Sequence, residues 1–299
     1  MQRVSFARVV AAALAAVAAL AAGCNGFEKL EAVPYDTRYG NATVMDVYLP
    51  DGGGDARPGI LVVHGGGWRI GDKESQGAMA RRFARSGYVA ASLNYRLVPD
   101  GAYPAAIQDV KCAIIFMRSM AAEWGLDRDR LAITGYSAGG HLTALVALTE
   151  GVPELEPDCD AVASGEPARV AAAIPGDGVY DMHRPPGVPV IIDFLGGTAD
   201  EVPERYDLAS PMFHVAPGAV PMLVIHGSND WFVDVGRARD FVAAMREAGN
   251  DTRFLRIPGA THLVEPGTDG GFYALGIAQD LPESWAAMID FLDDTIGPP

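Results

Sequence analysis

Lysine is scarce in this chain of 299 residues: Lys29, Lys73 and Lys111 are all there are. Arginine supplies the rest of 23 basic groups against 38 acidic ones, giving a formal net charge of −15, and no basic cluster occurs in the body of the chain. That composition excludes the electrostatic footprint of a nucleic-acid binder. The acidic groups are scattered rather than massed, so their surplus serves solubility, and a negative surface suits neutral or cationic small molecules better than anionic ones. Cysteine is equally sparse. Cys24, Cys112 and Cys159 have neither paired-cysteine spacing nor a nearby histidine, so no metal site is expected. Repeats, low-complexity tracts and long linkers are also missing. What is present, 49% hydrophobic and 20% charged residues, suffices for one large domain with a substantial buried core.

The only long apolar run is at the N-terminus. Arg3 and Arg8 precede an Ala/Val/Leu stretch from Val9 to Ala22, too short and too weakly hydrophobic for a permanent span, which reads as a signal peptide over residues 1–23. It closes on Ala21-Ala22-Gly23-Cys24, which resembles the lipobox of bacterial lipoproteins and implies lipidation at Cys24. The expectation is therefore an exported protein held in the cell envelope by a lipid anchor, with secretion or a periplasmic location as the alternative. Export would put the other two cysteines in an oxidising compartment. Cys112 falls in an apolar helical pattern and Cys159 in a polar loop, and whether they pair is not readable from spacing.

Residues 24–42 form an N-terminal segment, and a domain over residues 43–299 follows. Thr43 to Leu49 alternates like an antiparallel strand. Continuous apolar runs then recur at Gly59 to Val63, Tyr88 to Leu93, Leu131 to Thr134, Val170 to Ile174 and Pro221 to Ile225, as strands buried on both faces require. Helical patterns separate them: Ser75 to Arg85, Ala105 to Glu123, Gly139 to Thr149, Val235 to Ala248, and Pro282 to Asp293 at the end. The alternation predicts an α/β fold, a mostly parallel sheet covered on both faces and entered through antiparallel strands. Gly151 to Pro167 and Met182 to Pro203, rich in Pro, Gly and Asp, read as loops over the carboxyl edge of the sheet, with room for no more than a small lid.

Chemistry-bearing residues collect on that edge. The strand Leu131 to Thr134 runs into Gly135-Tyr136-Ser137-Ala138-Gly139 and then a helix, the strand, turn and helix setting in which a GxSxG serine becomes an exposed nucleophile. His64-Gly65-Gly66-Gly67-Trp68 ends an earlier buried strand. Its glycines leave backbone amides unblocked, so Gly66 and Gly67, with the amide of Ala138, are candidates for an oxyanion hole. A serine hydroxyl needs a base and the base an orienting acid, in the chain order serine, acid, histidine. Asp230 follows a strand in His226-Gly227-Ser228-Asn229-Asp230, and His262 follows the next in Gly259-Ala260-Thr261-His262. Asp234, four residues after Asp230, opens a helix and reads as its N-cap. His262 is the only histidine downstream of the acid; His141 reads as a packing residue, and His64 and His226 as loop braces.

Together HGGGW, Asn94-Tyr95-Arg96-Leu97, GYSAGGHL, Ala209-Ser210-Pro211, HGSND and GATH resemble the carboxylesterases related to hormone-sensitive lipase, and within them the group of acetyl xylan and feruloyl esterases. The resemblance runs from about Val44 to Phe291. It implies the α/β hydrolase fold, a catalytic set of Ser137, Asp230 and His262, and no cofactor, while the lack of room in the sequence for a large apolar lid points to short-chain acyl esters, borne by small molecules or polysaccharide. An arylformamidase or peptidase-like acyl hydrolase is the alternative enzyme, and a non-catalytic anchored binding protein the alternative of another kind. One departure stands out. Trp231 and Phe232 follow the acid where relatives carry a small or acidic residue and a hydrophobe, so an aromatic pair is expected to narrow the substrate pocket.

Overall fold

The computed structural model describes residues 26–52, 56–184, 188–262, 264–266, 272–274 and 282–299. The leader over residues 1–23 and the lipobox Cys24 lie outside the described residues.

Eight strands form one sheet: β1 Phe27–Pro34, β2 Val44–Pro50, β3 Arg57–Val63, β4 Val89–Leu93, β5 Leu126–Tyr136, β6 Ala172–Gly176, β7 Met222–Gly227 and β8 Thr252–Ile257. Their order is β1-β2-β4-β3-β5-β6-β7-β8. The first two pairings, β1 with β2 and β2 with β4, are antiparallel, and every later one is parallel. Helices α1 Gly77–Arg85, α2 Ala105–Ser119, α3 Ala121–Trp124, α4 Ala138–Leu148, α5 Pro189–Leu195, α6 Pro203–Leu208, α7 Val235–Glu247 and α8 Pro282–Ile296 accompany the strands. Two short strands, β9 Val264–Pro266 and β10 Phe272–Ala274, pair with each other. This is the mostly parallel α/β sheet that the alternation of patterns predicts, arranged as the α/β hydrolase fold that the family resemblance implies.

The continuous apolar runs have a direct cause. Along β3, Leu61 and Val63 enter one core with Ile114, Leu142 and Phe241 from α2, α4 and α7, while Ile60 and Val62 enter the other with Phe83 and Phe291 from α1 and α8. Neither side of the strand meets water, so polar residues have no place on it. Each fully buried aliphatic or aromatic side chain contributes about 1.5–3 kcal/mol.

Within the N-terminal segment read over residues 24–42, Phe27–Pro34 pairs with β2 as the edge strand of the sheet. Only Phe27 and Val33 of it are buried, and an edge strand so polar lacks the alternation that marks a strand in sequence. The stretch from Met182 to Pro203, read as loop, contains α5, and α6 begins at its end. Both helices start on proline at the first turn, where a missing N–H costs nothing. The stretch from Gly151 to Pro167 holds two 3-10 turns, Pro153–Leu155 and Asp160–Ser164. A disulfide joins Cys159 there to Cys112 on α2, across Cα atoms 6.3 Å apart.

The three lysines all end on carboxylates. Lys29 and Lys73 Nζ each lie 2.9 Å from the buried Asp46 on β2, and Lys111 Nζ, itself buried, lies 2.7 Å from Glu156 and 2.6 Å from the Thr149 carbonyl. Burial alone would raise the Asp46 carboxyl; the Ala32 amide and the two ammonium groups outweigh it and hold it below its ordinary value.

Candidate active site

Strands β5, β7 and β8 end side by side, and the turns that follow them carry Ser137, Asp230 and His262. Ser137 sits between β5 and α4 with φ 57° and ψ −121°, a conformation that costs a non-glycine residue about 1–3 kcal/mol. Flanking glycines make that turn feasible. A Cβ on Gly139 would lie 2.2 Å from the Val63 carbonyl, so helix and neighbouring strand approach as only glycine permits. The Ser137 amide donates to the Gly176 carbonyl at 2.9 Å, tying the turn to β6.

His262 Nδ1 lies 2.7 Å from Asp230 Oδ2, and His262 Nε2 lies 2.9 Å from Ser137 Oγ. An ionised carboxylate can only accept, so Nδ1 carries the hydrogen and Nε2 presents its lone pair to the serine hydroxyl. Asp230 Oδ1 accepts from the amides of Phe232 at 2.9 Å and Val233 at 2.8 Å. Burial by itself would raise this carboxyl. The hydrogen bonds from His226, His262 and the Val233 amide outweigh burial and bring it down to about 2. Asp234 acts elsewhere, its Oδ1 accepting from Gly236 N at 2.8 Å as the N-cap of α7.

The glycine loop after β3 lies against the serine turn. A Cβ on Gly65 would come within 2.8 Å of the Tyr136 carbonyl and 3.3 Å of Ser137 Cβ. Gly66 has φ 109°, and its carbonyl receives the amides of Arg69 and Ile70, which folds the loop into a tight turn. Among the described residues no backbone carbonyl accepts from the amide of Gly66 or Gly67, and Ala138, first residue of α4, has an N–H with no partner inside its helix. Gly67, Ser137 and Ala138 line a cavity of about 420 Å³ together with Val190, Trp231 and Phe232; Gly66 precedes Gly67 in the loop and is not among the lining residues. Trp68 stacks on Phe194 with ring centroids 4.4 Å apart, fastening α5 over the loop as a short lid.

The remaining histidines divide by surroundings. His141 is buried, lies 2.7 Å from the Ala209 carbonyl and is pushed down to about 4 by burial, so it packs as a neutral ring. His64 lies 2.7 Å from the Gly65 carbonyl and stacks on Tyr95 at 4.2 Å. His226 does more than brace a loop. Its Nε2 lies 2.9 Å from the Val233 carbonyl and 3.2 Å from Asp230 Oδ2. Asp177, which sequence reasoning passed over, stands 3.8 Å from the same nitrogen and receives the Gly227 amide at 2.9 Å. Burial pushes its carboxyl up to about 6. Its one signal in the sequence is position, a carboxylate directly after an apolar run; in the structure its backbone takes φ 44°. Asp177, His226 and Asp230 bring ligand-type atoms within 4.8 Å of one another, but each residue already holds amides, a carbonyl or an imidazole; His226 holds Asp230 directly, and Asp177 adds a nearby carboxyl to His226 with no hydrogen bond to it.

Residues 45–245 match the family described as BD-FAE. Esterase LipC of Mycobacterium tuberculosis is 37% identical over 214 residues, which are 69% of this chain and 52% of that protein. The chain spans only 52% to 60% of the length of LipC and two further curated relatives. A truncated carbohydrate esterase from gut microbiota superposes with a TM-score of 0.79 at 24% identity, covering 92% of this chain and 98% of the other. Esterase 2 of Thermogutta terrifontis, solved with butyrate bound, superposes with a TM-score of 0.72 at 26% identity, covering 90% and 94%. Continuous from the antiparallel entry of the sheet through the serine turn to the helix after Asp230, the match makes the chain a member of the BD-FAE family, among the esterases related to hormone-sensitive lipase.

Proposed function

We propose that this protein is a serine carboxylesterase acting on short-chain acyl esters. The observation that carries the reading is the chain of hydrogen bonds from Asp230 through His262 to Ser137 Oγ, at 2.7 and 2.9 Å. Ser137 Oγ attacks the ester carbonyl while His262 Nε2 takes its proton, and the amides of Gly66, Gly67 and Ala138 receive the charge that develops on the carbonyl oxygen. The same proton passes to the departing alkoxide. Water, activated by His262, then releases the acid and restores the serine, with Asp230 stabilising the imidazolium in both halves.

Support for short acyl groups comes from the cavity, about 420 Å³ shared between acyl and alcohol portions, and from the butyrate bound by the Thermogutta neighbour. The test is hydrolysis of nitrophenyl acetate through decanoate, with acetylated xylan, methyl ferulate and formylkynurenine alongside. Acetate or butyrate should be fastest and Ser137→Ala inactive; faster decanoate turnover overturns the chain-length reading, and exclusive cleavage of formylkynurenine the ester reading. We also propose lipid attachment at Cys24 and an envelope location, on the motif Ala21-Ala22-Gly23-Cys24. Intact protein should partition into detergent, and Cys24→Ser protein should become soluble or remain unprocessed; equal partitioning with identical processing of the two rejects the anchor.

A further inference from the structure

Taking Ser137 as the acylated nucleophile, the site also indicates which alcohol departs. A tetrahedral acyl carbon there has its serine oxygen fixed and its oxyanion facing the amides of Gly67 and Ala138. Its leaving oxygen must come within reach of His262 Nε2 to receive a proton. A side chain packed on the imidazole therefore flanks the alcohol, not the acyl group.

That side chain is Phe232, whose ring centroid lies 5.0 Å from the His262 ring at a tilt of 41°. Trp231 stands edge-on to it, centroids 6.1 Å apart at 90°. Both rings line the cavity, yet Trp231 is 81% exposed and Phe232 54%. The pair is not loosely held: the Phe232 amide is bonded to Asp230 Oδ1, so the rings ride on the same turn that carries the acid. Val179, Val188, Val190 and Ile191 also line the cavity, and Val190 Cγ2 would lie 2.8 Å from a Cβ on Gly67. Charged groups at the cavity have partners of their own. Arg184 lies 3.6 Å from Asp181, Arg237 lies 3.7 Å from Asp240, and Asp234 caps α7. Among the described residues that line the cavity, Trp231 and Phe232 are the aromatic side chains left exposed.

We propose that Trp231 and Phe232 form a leaving-group subsite selecting esters of alcohols that carry an aromatic ring. An aromatic alcohol covers both faces in the offset or edge-on geometries such rings favour, and the contact is made while the alkoxide departs.

Benzyl, cyclohexylmethyl and ethyl acetate all give the same acetyl-enzyme, so kcat/KM, which reports steps through acylation, reads the alcohol alone. Wild-type protein should prefer benzyl to cyclohexylmethyl acetate. Trp231→Ala and Phe232→Leu should each lower the benzyl-to-ethyl ratio of kcat/KM by about tenfold, while the ratio of ethyl butyrate to ethyl acetate holds. A benzyl-to-ethyl ratio unmoved by either substitution overturns the subsite alone, as does an effect that follows acyl length and so puts the rings on the acyl side. Failure of the wild-type protein to hydrolyse any of these esters overturns the esterase reading, and the subsite with it.

Discussion

His226 Nε2 lies 3.2 Å from Asp230 Oδ2, the same oxygen that receives His262 Nδ1 at 2.7 Å. Two imidazoles therefore share one carboxylate oxygen, and two backbone amides hold the other. The carboxyl is kept ionised and cannot rotate, which is what an orienting acid requires.

Asp230→Asn should retain the fold, because an amide oxygen can still accept from Phe232 and Val233. It reverses the hydrogen-bond demand on His262, however, and should lower kcat by about 10³ to 10⁴. Asp234→Ala removes only a cap and should cost about 1 kcal/mol of stability. Ester hydrolysis and thermal melts of the two variants check this; an active Asp230→Asn beside an inactive Asp234→Ala would transfer the role to Asp234.

Asp177 predicts a pH dependence of stability. Its carboxyl is pushed up to about 6, by burial and the Asp230 charge, against the pull of His226. Stability from a carboxyl raised in the folded state is fully present below about 4 and lost as pH rises through 6. Asp177→Asn keeps the acceptor for Gly227 and removes that loss. Its melting temperature relative to wild type should therefore climb from pH 4 to pH 7, by the equivalent of up to about 3 kcal/mol. Asp230 has the opposite sign: held at about 2, its contribution is present above about 4 and lost as pH falls through 2. Melts across that range decide it, and a difference independent of pH contradicts the assignment.

Gly66→Ala tests the oxyanion loop. The new Cβ would lie 2.1 Å from the Ile70 carbonyl at φ 109°, so the loop must shift and carry its amides with it. A fall in kcat of about 10² is expected, with KM less affected and the melting temperature reduced. A kcat within twofold of wild type would remove this loop from the oxyanion site.

The disulfide joins residues 47 apart, and opening a loop of that size costs about 4 kcal/mol in chain-entropy terms. Cys159→Ser should unfold at correspondingly lower urea. The turns over Gly151 to Pro167 should loosen first, retained by the Lys111–Glu156 pair and by Arg118 and Arg128 on Glu166. Equal midpoints for the oxidised protein and the variant would show that the bond adds nothing.

Sequence by itself determined the parallel sheet and the three turns that carry Ser137, Asp230 and His262, because both signals are local. A strand buried on two faces must be apolar throughout, and a GxSxG turn needs its glycines within a few residues of the serine. Asp234 was legible as a cap for the same reason. Tertiary structure alone decided what depends on residues distant in the chain. The polar strand Phe27–Pro34 is a strand because β2 offers it an edge. Pro189–Leu195 is a helix over the site, with Trp68 stacked on its Phe194. Cys112 and Cys159 pair because the fold brings their Cα atoms to 6.3 Å. Asp177 comes to 3.8 Å from His226, which in turn holds Asp230, because β6 and β7 are neighbours in the sheet. Nothing in the pattern around either residue encodes that adjacency, since it arises only when the strands assemble.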